Sequence, residues 1–241
     1  MKCLIIAAGM GRRLAVRAES KPLLKIGGRS LISRVILAGR EAGIRDFVVV
    51  TGYRADLVER HLTQVARDEG VSIECVRNEE WAKENGLSVF KAREAAGDRF
   101  ILSMSDHLFD PAILADLASR SVSDSETILA VDTRIADNPC VDLDDVTKVR
   151  VGGDRILEIG KGLSDYNAFD TGLFLGTPGL FRALGESQDK GDFTLSGGIR
   201  ILAAGGKARV MDIGGRYWID VDDEKAAAKA ALWLASGGPT A

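Results

Sequence analysis

Short apolar runs and amphipathic stretches alternate along the first part of the chain. Residues 3–8 and 47–51 are continuous apolar runs next to glycine, the pattern of strands buried on both faces of a parallel sheet, and residues 71–76 alternate as a third strand. Between these runs, residues 30–42 and 55–69 space their apolar side chains at helical period. This order predicts a parallel sheet with helices on both faces and right-handed crossovers.

The same two periodicities continue through the rest of the chain. They predict further strands over residues 99–104, 127–132, 167–175 and 208–213, and further helices over residues 85–96, 111–119, 178–184, 194–204 and 224–236. Residues 148–151 and 155–159 alternate on either side of a Gly-Gly pair and predict a β hairpin. The fold class is therefore α/β: a Rossmann-like, mostly parallel sheet with helices on both faces, plus a small β hairpin.

Length and charge narrow the class of protein. The chain has 241 residues without an internal repeat or a linker, so we expect a single domain over residues 1–241 with an ample core. The formal net charge of −3 argues against a nucleic-acid partner or a general membrane-surface binder. No run approaches the roughly 18 apolar residues of a membrane span, so we expect a cytoplasmic protein that does not span a membrane. The sequence does not decide whether the chain forms a homodimer.

The three cysteines, Cys3, Cys75 and Cys140, are far apart and odd in number. Cys3 and Cys75 fall in predicted strands. We therefore expect both to be buried, reduced thiols that act as small apolar side chains.

A glycine-rich turn follows the first predicted strand. Gly9 and Gly11 allow the backbone to approach a ligand and point N–H groups at it, while Arg12, Arg13 and Lys21 add positive charge. This combination predicts an anion site, best matched by a polyphosphate, with Arg13 and Lys21 on a solvent-facing loop. The turn lacks the spacing of a Walker A loop and the third glycine of a dinucleotide fingerprint.

Polar side chains also stand at the ends of later predicted elements. Asp106 directly follows the strand at 99–104, at the edge where open α/β sheets bind ligands, and His107 comes next. Asn85 begins a predicted helix, where it suits a helix cap. Its amide donor and acceptor also suit recognition of a pyrimidine edge, and both roles can hold.

An acidic stretch precedes the predicted hairpin. Asp142, Asp144 and Asp145 lie close together in the sequence, but their spacing does not match an EF-hand calcium loop. We interpret this stretch as a solvated acidic loop.

The glycine-rich turn, read as A-A-G-x-G-x-R-L and followed by K-P-L-L, resembles the signature of nucleotidyltransferases that activate sugar phosphates. The resemblance implies a nucleotidyltransferase fold of the glycosyltransferase-A-like type, in which this loop wraps a nucleoside triphosphate. It implies that Arg13 and Lys21 are catalytic residues that hold the phosphates. The nucleotide-binding set that it implies comprises Ala8, Gly9, Gly11, Arg12, Gly52, Asn85, Gly86 and Ser88.

The same resemblance implies a metal site. Family members place a metal-binding aspartate after an apolar strand, and Asp106 matches it. They carry a second metal-binding aspartate in a W-x-D element, which Trp218 and Asp220 match; Asp222 is an alternative second ligand. Asp106 and Asp220 are thus expected to be catalytic and to hold Mg²⁺.

Several central segments resemble the inositol-1-phosphate cytidylyltransferases within this superfamily, and some of those enzymes are fused to a membrane synthase. The matching segments are Asn85-Gly86, Ser105-Asp106-His107, residues 146–149, residues 159–161 and Asp170-Thr171-Gly172. The predicted hairpin would then form a lid over an acceptor pocket. The acceptor-binding set that follows comprises His107, Lys148, Lys161, Asn167, Asp170, Thr171 and Gly172.

The expected partners are CTP and a small phosphate-ester acceptor. The expected reaction is transfer of CMP from CTP to inositol 1-phosphate, giving CDP-inositol and pyrophosphate. The chain has only three tyrosines and three tryptophans, which disfavours an aromatic cage for a quaternary ammonium, although Asp170 could pair with an amine. The alternatives are a cytidylyltransferase for phosphocholine or 2-aminoethylphosphonate, a sugar-1-phosphate enzyme using UTP or dTTP, and a non-catalytic nucleotide-sensing subunit.

Overall fold

The computed structural model describes residues 1–14, 18–136, 138–236 and 238, and its core is one large twisted sheet. The strands are β1 (Lys2–Ala7), β2 (Lys25–Ile26), β3 (Arg29–Ser30), β4 (Asp46–Thr51), β5 (Ser72–Arg77), β6 (Phe100–Met104), β7 (His107–Phe109), β8 (Thr127–Asp132), β9 (Lys148–Gly152), β10 (Arg155–Gly160), β11 (Ala168–Gly176), β12 (Ala208–Asp212) and β13 (Trp218–Asp220). The helices are α1 (Leu31–Glu41), α2 (Ala55–Glu69), α3 (Asn85–Lys91), α4 (Arg93–Ala96), α5 (Ala112–Ser119), α6 (Pro178–Asp189), α7 (Leu195–Ala204) and α8 (Glu224–Ala235).

Nine of these strands form the central sheet in the order β5-β4-β1-β6-β11-β8-β12-β10-β9. The four strands from β5 to β6 are parallel, as predicted. Beyond them the sheet is mixed, because β11 runs antiparallel to both β6 and β8, while β12 is parallel to β8. The predicted hairpin is confirmed as β9 and β10, and it forms the far edge of the same sheet.

Helices cover both faces of the sheet, as the apolar runs predicted. Along β1, Cys3 and Ile5 point into the core beneath α1, α2 and α5, while Leu4 and Ile6 point into the core beneath α3, α6 and α7. A third, smaller apolar cluster packs α8 against the short strand pairs β2–β3 and β7–β13. The C-terminal helix is thereby placed beside the carboxyl ends of the parallel strands.

Local patterns predicted most element boundaries well, with three differences. The helix expected over residues 85–96 breaks at Ala92, whose φ of −87° and ψ of 4° interrupt the ladder between α3 and α4. The helix expected over residues 178–184 continues to Asp189. The short strands β2, β3, β7 and β13 were not predicted, because two or three residues are too few to show a period.

The expectation for one cysteine was wrong. Cys3 is buried in the central strand β1, as predicted, but Cys75 is exposed. It lies on β5, the edge strand of the sheet, where no residue is fully buried. The structure contains all three cysteines as free thiols.

Candidate active site

The loop after β1 brings Gly11 against Lys21. Gly11 has a φ of +63°, in the left-handed region that favours glycine, and a Cβ at this position would collide with the side chain of Lys21. At Gly9, by contrast, a Cβ would meet no atom within 4 Å. The loop therefore exposes its backbone at Gly9, and at Gly11 it packs directly against the side chain of Lys21. The side chain of Arg12 lies outside the described part of the chain.

Lys21 is buried rather than solvent-facing, which corrects the sequence-based expectation. Only 7% of it is exposed, and its Nζ lies 2.5 Å from Asp106 Oδ2. The same ammonium contacts Asp222 and lies 3.7 Å from Asp220 Oδ1. Burial alone would lower the pKa of Lys21, but these carboxylates outweigh it and raise that pKa above its ordinary value. Lys21 is therefore a fixed cation that holds three carboxylates together.

Asp106, His107 and Asp220 form a compact group of metal-ligand type. Antiparallel pairing of β7 with β13 sets Asp220 opposite His107, and Asp106 occupies the turn just before β7. One ligand atom from each of the three lies within 4.8 Å of the others. Asp222 stays outside this group. The structure thus favours Asp220 over Asp222 as the partner of Asp106.

An orphaned oxygen shows that this group suits a cation. Asp220 Oδ1 is hidden from solvent and accepts no hydrogen bond from any described residue. Such a buried acceptor is costly unless something satisfies it. Two carboxylates and an imidazole nitrogen are suitable donors for a divalent cation, and a cation between them would meet the orphaned oxygen.

The pKa values in this group reflect burial and mutual charge. Burial, together with the nearby charge of Asp106, raises the pKa of Asp220 to about 7. Burial opposes protonation of His107, but Asp220 and Asp106 outweigh it and raise the pKa of His107 to about 9. For Asp106 the effect of burial is overcome by Lys21 and His107, which hold its pKa well below the ordinary range.

Asp145 joins two cations from distant parts of the chain. Arg13 donates to Asp145 Oδ2 at 2.6 Å and to Asp222 Oδ2 at 2.7 Å, and Lys161 donates to the other oxygen of Asp145. The hydrogen bonds from Lys161 and Arg13 hold the pKa of Asp145 below its ordinary value. The interpretation of residues 142–145 as a merely solvated loop was therefore wrong for Asp145.

A cavity of about 550 Å³ lies between these groups. The predicted site residues that line it are Arg13, Asn85, His107, Lys161, Asp170, Gly172 and Asp220. Lys21 and Asp106 do not line the cavity themselves, but Lys21 contacts the lining Asp222 and Asp106 bonds the lining His107. The predicted site residues that do not line it are Ala8, Gly9, Gly11, Gly52, Gly86, Ser88, Lys148, Asn167 and Thr171.

The residues expected to contact the base have structural partners. Asn85 Oδ1 accepts the Leu195 N–H at 2.9 Å, so it caps α7 rather than its own helix. Gly86 lets α3 approach α7, because a Cβ there would lie 2.6 Å from the Thr194 backbone. The buried Ser88 hydroxyl accepts from Asn78. Of this group, only Asn85 presents atoms to the cavity.

Three of the expected acceptor residues have side chains committed elsewhere. Asn167 bonds both the N–H and the carbonyl of Val151, at 2.7 and 2.9 Å. The buried Thr171 hydroxyl donates to the Ala130 carbonyl at 2.8 Å. Lys148 Nζ lies over the Tyr166 ring, 5.5 Å from its centre. The structure does not bring these three into the cavity.

Asp170 and Gly172 do reach the cavity, beside His107. Gly172 has a φ of +74°, and its N–H donates to Asp170 Oδ1 at 2.7 Å. A Cβ on Gly172 would lie 2.7 Å from His107 Nε2, so glycine leaves room for the imidazole. Burial raises the pKa of Asp170 to about 6.

Sequence reasoning left some cavity residues aside. Asp145 was assigned to solvent, and Asp222 was only an alternative metal ligand. Lys225 and Lys229 of α8 also line the cavity but were not considered. The i,i+4 spacing of these lysines on one helix face was the available signal.

A glycine-rich loop after the first strand, a strand-end carboxylate and a W-x-D carboxylate around one cavity define a nucleotidyltransferase of the α/β class. The chain belongs to the MobA-like NTP transferase domain family, whose model matches residues 3–148. The resemblance inferred from the sequence is thus confirmed.

Two similar proteins carry the name "Bifunctional IPC transferase and DIPP synthase". One, from Rubrobacter xylanophilus, is 32% identical over 97% of this chain and 52% of its own length. The other, from Archaeoglobus fulgidus, is 29% identical over 98% of this chain and 44% of its own length. The chain therefore spans about half the length of these curated relatives. Within the part of the chain that the structure describes, no helix has the length and apolar character to cross a membrane.

A solved structure is similar over nearly the whole chain. It is described as the inositol-1-phosphate CTP transferase from T. maritima, with a TM-score of 0.84, 27% identity, and coverage of 97% of this chain and 94% of that one. A UDP-glucose pyrophosphorylase shares the fold at 18% identity, with a TM-score of 0.78. The predicted fold class is confirmed by both.

Proposed function

We propose that the chain transfers CMP from CTP to inositol 1-phosphate, giving CDP-inositol and pyrophosphate. The geometric observation that carries this proposal is the pair of cations on Asp145. Arg13 comes from the signature loop and Lys161 from the end of the hairpin, and one carboxylate contacts both. Two phosphate groups bound by these cations would lie close together, as transfer between phosphates requires. The names of similar proteins supply the substrates.

The chemistry follows from where the charges lie. An oxygen of the acceptor phosphate attacks the α-phosphorus of CTP, a new P–O bond forms, and the bond to the β-phosphate breaks. A phosphate monoester is already a nucleophile, so no strong base is required. Arg13 and the loop N–H groups stabilise the charge that develops on the leaving pyrophosphate. Lys161 holds the acceptor phosphate.

Asp106 and Asp220, with His107 beside them, would hold Mg²⁺. Mg²⁺ bound there would neutralise charge on the α-phosphate and orient the in-line attack. Lys21 keeps Asp106 ionised by its buried positive charge, and its ammonium holds Asp106 and Asp222 in place. Asp145 and Asp222 occupy Arg13 in this structure, so we infer that phosphates exchange with these carboxylates when the nucleotide enters.

A second acceptor class is favoured by the acidic lining of the cavity. Asp142, Asp170 and Asp223 face it, together with the carboxylates already described. Carboxylates would suit an acceptor that carries a positively charged nitrogen. A choline-phosphate cytidylyltransferase from Streptococcus pneumoniae is 28% identical over 48% of this chain and 50% of its own length. Phosphocholine is therefore the second candidate acceptor.

One competition assay tests both acceptors. CTP and Mg²⁺ are supplied with equal inositol 1-phosphate, phosphocholine, 2-aminoethylphosphonate and glucose 1-phosphate, and the CDP product is identified by mass. We expect CDP-inositol to dominate. A dominant CDP-choline or CDP-aminoethylphosphonate peak would reject the inositol acceptor and leave the cytidylyltransferase standing. Preference for UTP or dTTP in a parallel nucleotide panel would reject both, and nucleotide binding without turnover would indicate a sensor.

A further inference from the structure

The strand that carries Asp220, β13, is too short to be stable without contacts to the rest of the protein. β13 has three residues and pairs only with the three-residue β7, in a sheet of two strands. Isolated pairs of this size are marginally stable, so the position of Asp220 must depend on contacts outside the pair. One anchor follows Asp220 directly: the Val221 N–H donates to the Asp106 carbonyl at 3.0 Å.

The other anchor precedes Asp220 and comes from a buried carboxylate. Trp218 Nε1 donates to Asp132 Oδ2 at 2.8 Å, and both residues are almost completely buried. Asp132 is the last residue of β8 in the central sheet. This hydrogen bond therefore ties the small strand pair to the large sheet across 86 residues of sequence.

Asp132 is equipped for this role by its surroundings. It accepts from the backbone and side chain of Arg134 at 2.8 to 3.0 Å, and from Asn138 at 2.8 Å. Arg134 in turn donates to the Arg216 carbonyl, two residues before Trp218. Burial would raise the pKa of Asp132, but these hydrogen bonds outweigh it and lower that pKa. The carboxylate thus remains ionised and its acceptor atoms stay aimed at Trp218.

The indole also orients the metal group directly. The ring of Trp218 stacks beside that of His107, with centres 6.4 Å apart and planes 18° from parallel. His107 Nδ1 in turn bonds Asp106 Oδ1 at 2.9 Å. Trp218 therefore links Asp132 to two members of the cluster. Asp220 lies two residues further along the same strand, and the ring of His107 lies against the indole.

We propose that Asp132 is a positioning residue that acts through the Trp218 indole N–H to fix Asp220 and His107 around Asp106. The anchoring of β13 by Asp132 is independent of the proposed function, whereas its effect on metal affinity rests on that function. The tryptophan of the W-x-D element thereby gains a physical role, because phenylalanine would keep an aromatic ring there but could not donate to Asp132.

The test compares Trp218→Phe and Asp132→Asn with Trp81→Phe. The control is the same substitution at a tryptophan outside β7, β13 and the cluster: the ring of Trp81 lies against Tyr53, with ring centres 5.2 Å apart. Hydrogen exchange is measured on the amides of β7 and β13. We expect exchange to rise roughly tenfold in the first two variants and to be unchanged in the control, because each first-group variant weakens a hydrogen bond to a charged group.

Mn²⁺ affinity, measured by paramagnetic resonance without nucleotide, should weaken several-fold in the same two variants. The KM for Mg²⁺ should rise, while kcat at saturating Mg²⁺ should be largely restored. If Trp218→Phe folds and the β13 amides exchange as in the parent, the proposal is overturned. If the parent binds Mn²⁺ and the variants bind it equally tightly, the proposal is also overturned. If the parent neither binds Mn²⁺ nor turns over CTP, the proposed function fails, and hydrogen exchange alone decides whether the anchor exists. A crystal structure of Trp218→Phe with Asp220 undisplaced would also overturn it.

Discussion

At the scale of single residues, Arg13 and Lys21, the two cations of the signature stretch that were expected to be catalytic, have very different surroundings. The Arg13 side chain is 54% exposed, whereas that of Lys21 is only 8% exposed and contacts three carboxylates. Removing one partner of a buried ion pair leaves an uncompensated charge, while losing an exposed pair costs little. The same substitution should therefore have different effects on stability at these two positions.

We predict that Arg13→Ala and Lys21→Ala both lower turnover at least tenfold. Arg13→Ala loses charge-assisted hydrogen bonds to phosphate, which contribute about 1.5–3 kcal/mol each, and Lys21→Ala loses the cation that holds Asp106 and Asp222 in place. Arg13→Ala should keep the melting temperature of the parent. Lys21→Ala should melt several degrees lower, since Asp106, Asp220 and Asp222 lose their common cation. Steady-state kinetics and calorimetry measure the two effects. Near-normal turnover in both variants would remove the phosphate assignment.

The three carboxylates beside Lys21 should also differ. Asp106→Asn and Asp220→Asn remove charge from the metal group, so we expect activity to collapse in both and EDTA to abolish it in the parent. Asp222→Asn should retain Mn²⁺ binding, because Asp222 contacts Lys21 and Arg13 instead. Loss of Mn²⁺ binding in Asp222→Asn, with Asp220→Asn unaffected, would show that the second ligand is misassigned.

Asp170 should link stability to pH. Burial raises its pKa to about 6, above the ordinary value near 4, so the folded protein binds a proton more tightly than the unfolded chain. Stability should therefore fall as pH rises through about 4 to 6, and the penalty should persist above pH 6. Asp170→Asn keeps an acceptor for Gly172 without the charge. We expect the melting temperature of Asp170→Asn to be higher than that of the parent at pH 8 and equal to it at pH 4. Equal melting temperatures at pH 8 would contradict the effect of burial on Asp170.

At the scale of elements, short irregular segments carry most of the site, while the regular elements hold them in place. The loop after β1, the turn after β6 and the residues after β13 bring together Arg13, Asp106 and Asp222. Their conformations are set by close crossings such as that of Gly11 with Lys21. A substitution that adds one methyl group to such a loop should displace the side chain that packs against it, and the site should change through that displacement.

We predict that Gly11→Ala lowers stability and activity together. The left-handed φ costs an alanine about 1–2 kcal/mol, and the added methyl group would push against Lys21. Melting should fall by several degrees and turnover by about a hundredfold, as expected for a small displacement of a catalytic group. Gly9→Ala is the stability control, because its Cβ meets nothing within 4 Å. Equal melting temperatures for the two variants would show that the crossing is not restrictive.

At the scale of the whole molecule, one sheet joins the two halves of the site. Its strands come from residues 2–212, and the hairpin with Lys161 at its end shares that sheet with β1. The hydrogen bond from Trp218 to Asp132 adds a second connection, because it ties the β7–β13 pair to the large sheet. The signature loop and the acceptor side are therefore parts of one packed body.

We predict that residues 1–241 unfold as one domain. Calorimetry should show a single transition whose calorimetric and van't Hoff enthalpies agree, because no strand of the sheet can separate without exposing a shared core. CTP with Mg²⁺ should raise the melting temperature of the whole transition, by an amount that grows with the logarithm of the ligand concentration over its Kd. Two resolved transitions, with only one moved by nucleotide, would indicate separate units.

Local sequence determined the elements and the class of this protein. Strand β8 and helix α2 begin and end where periodicity placed them, because a repeat of two or 3.6 residues is set by near neighbours. The glycine-rich signature, the strand-end Asp106 and the W-x-D element indicated a nucleotidyltransferase, and the family match confirms it. These signals lie within short stretches of chain.

Tertiary structure alone decided which of the chemically suitable residues meet. Lys21 finds Asp106 across 85 residues and Asp222 across 201, and Arg13 finds Asp145 across 132. The burial of Lys21 and the pairing of Asn167 with Val151 instead of the cavity are likewise results of packing. Pairings of this range depend on strand order and on crossings between loops, which no periodicity records. The sequence by itself therefore determined the kind of chemistry, and the packing of distant segments decided which side chains are arranged to perform it.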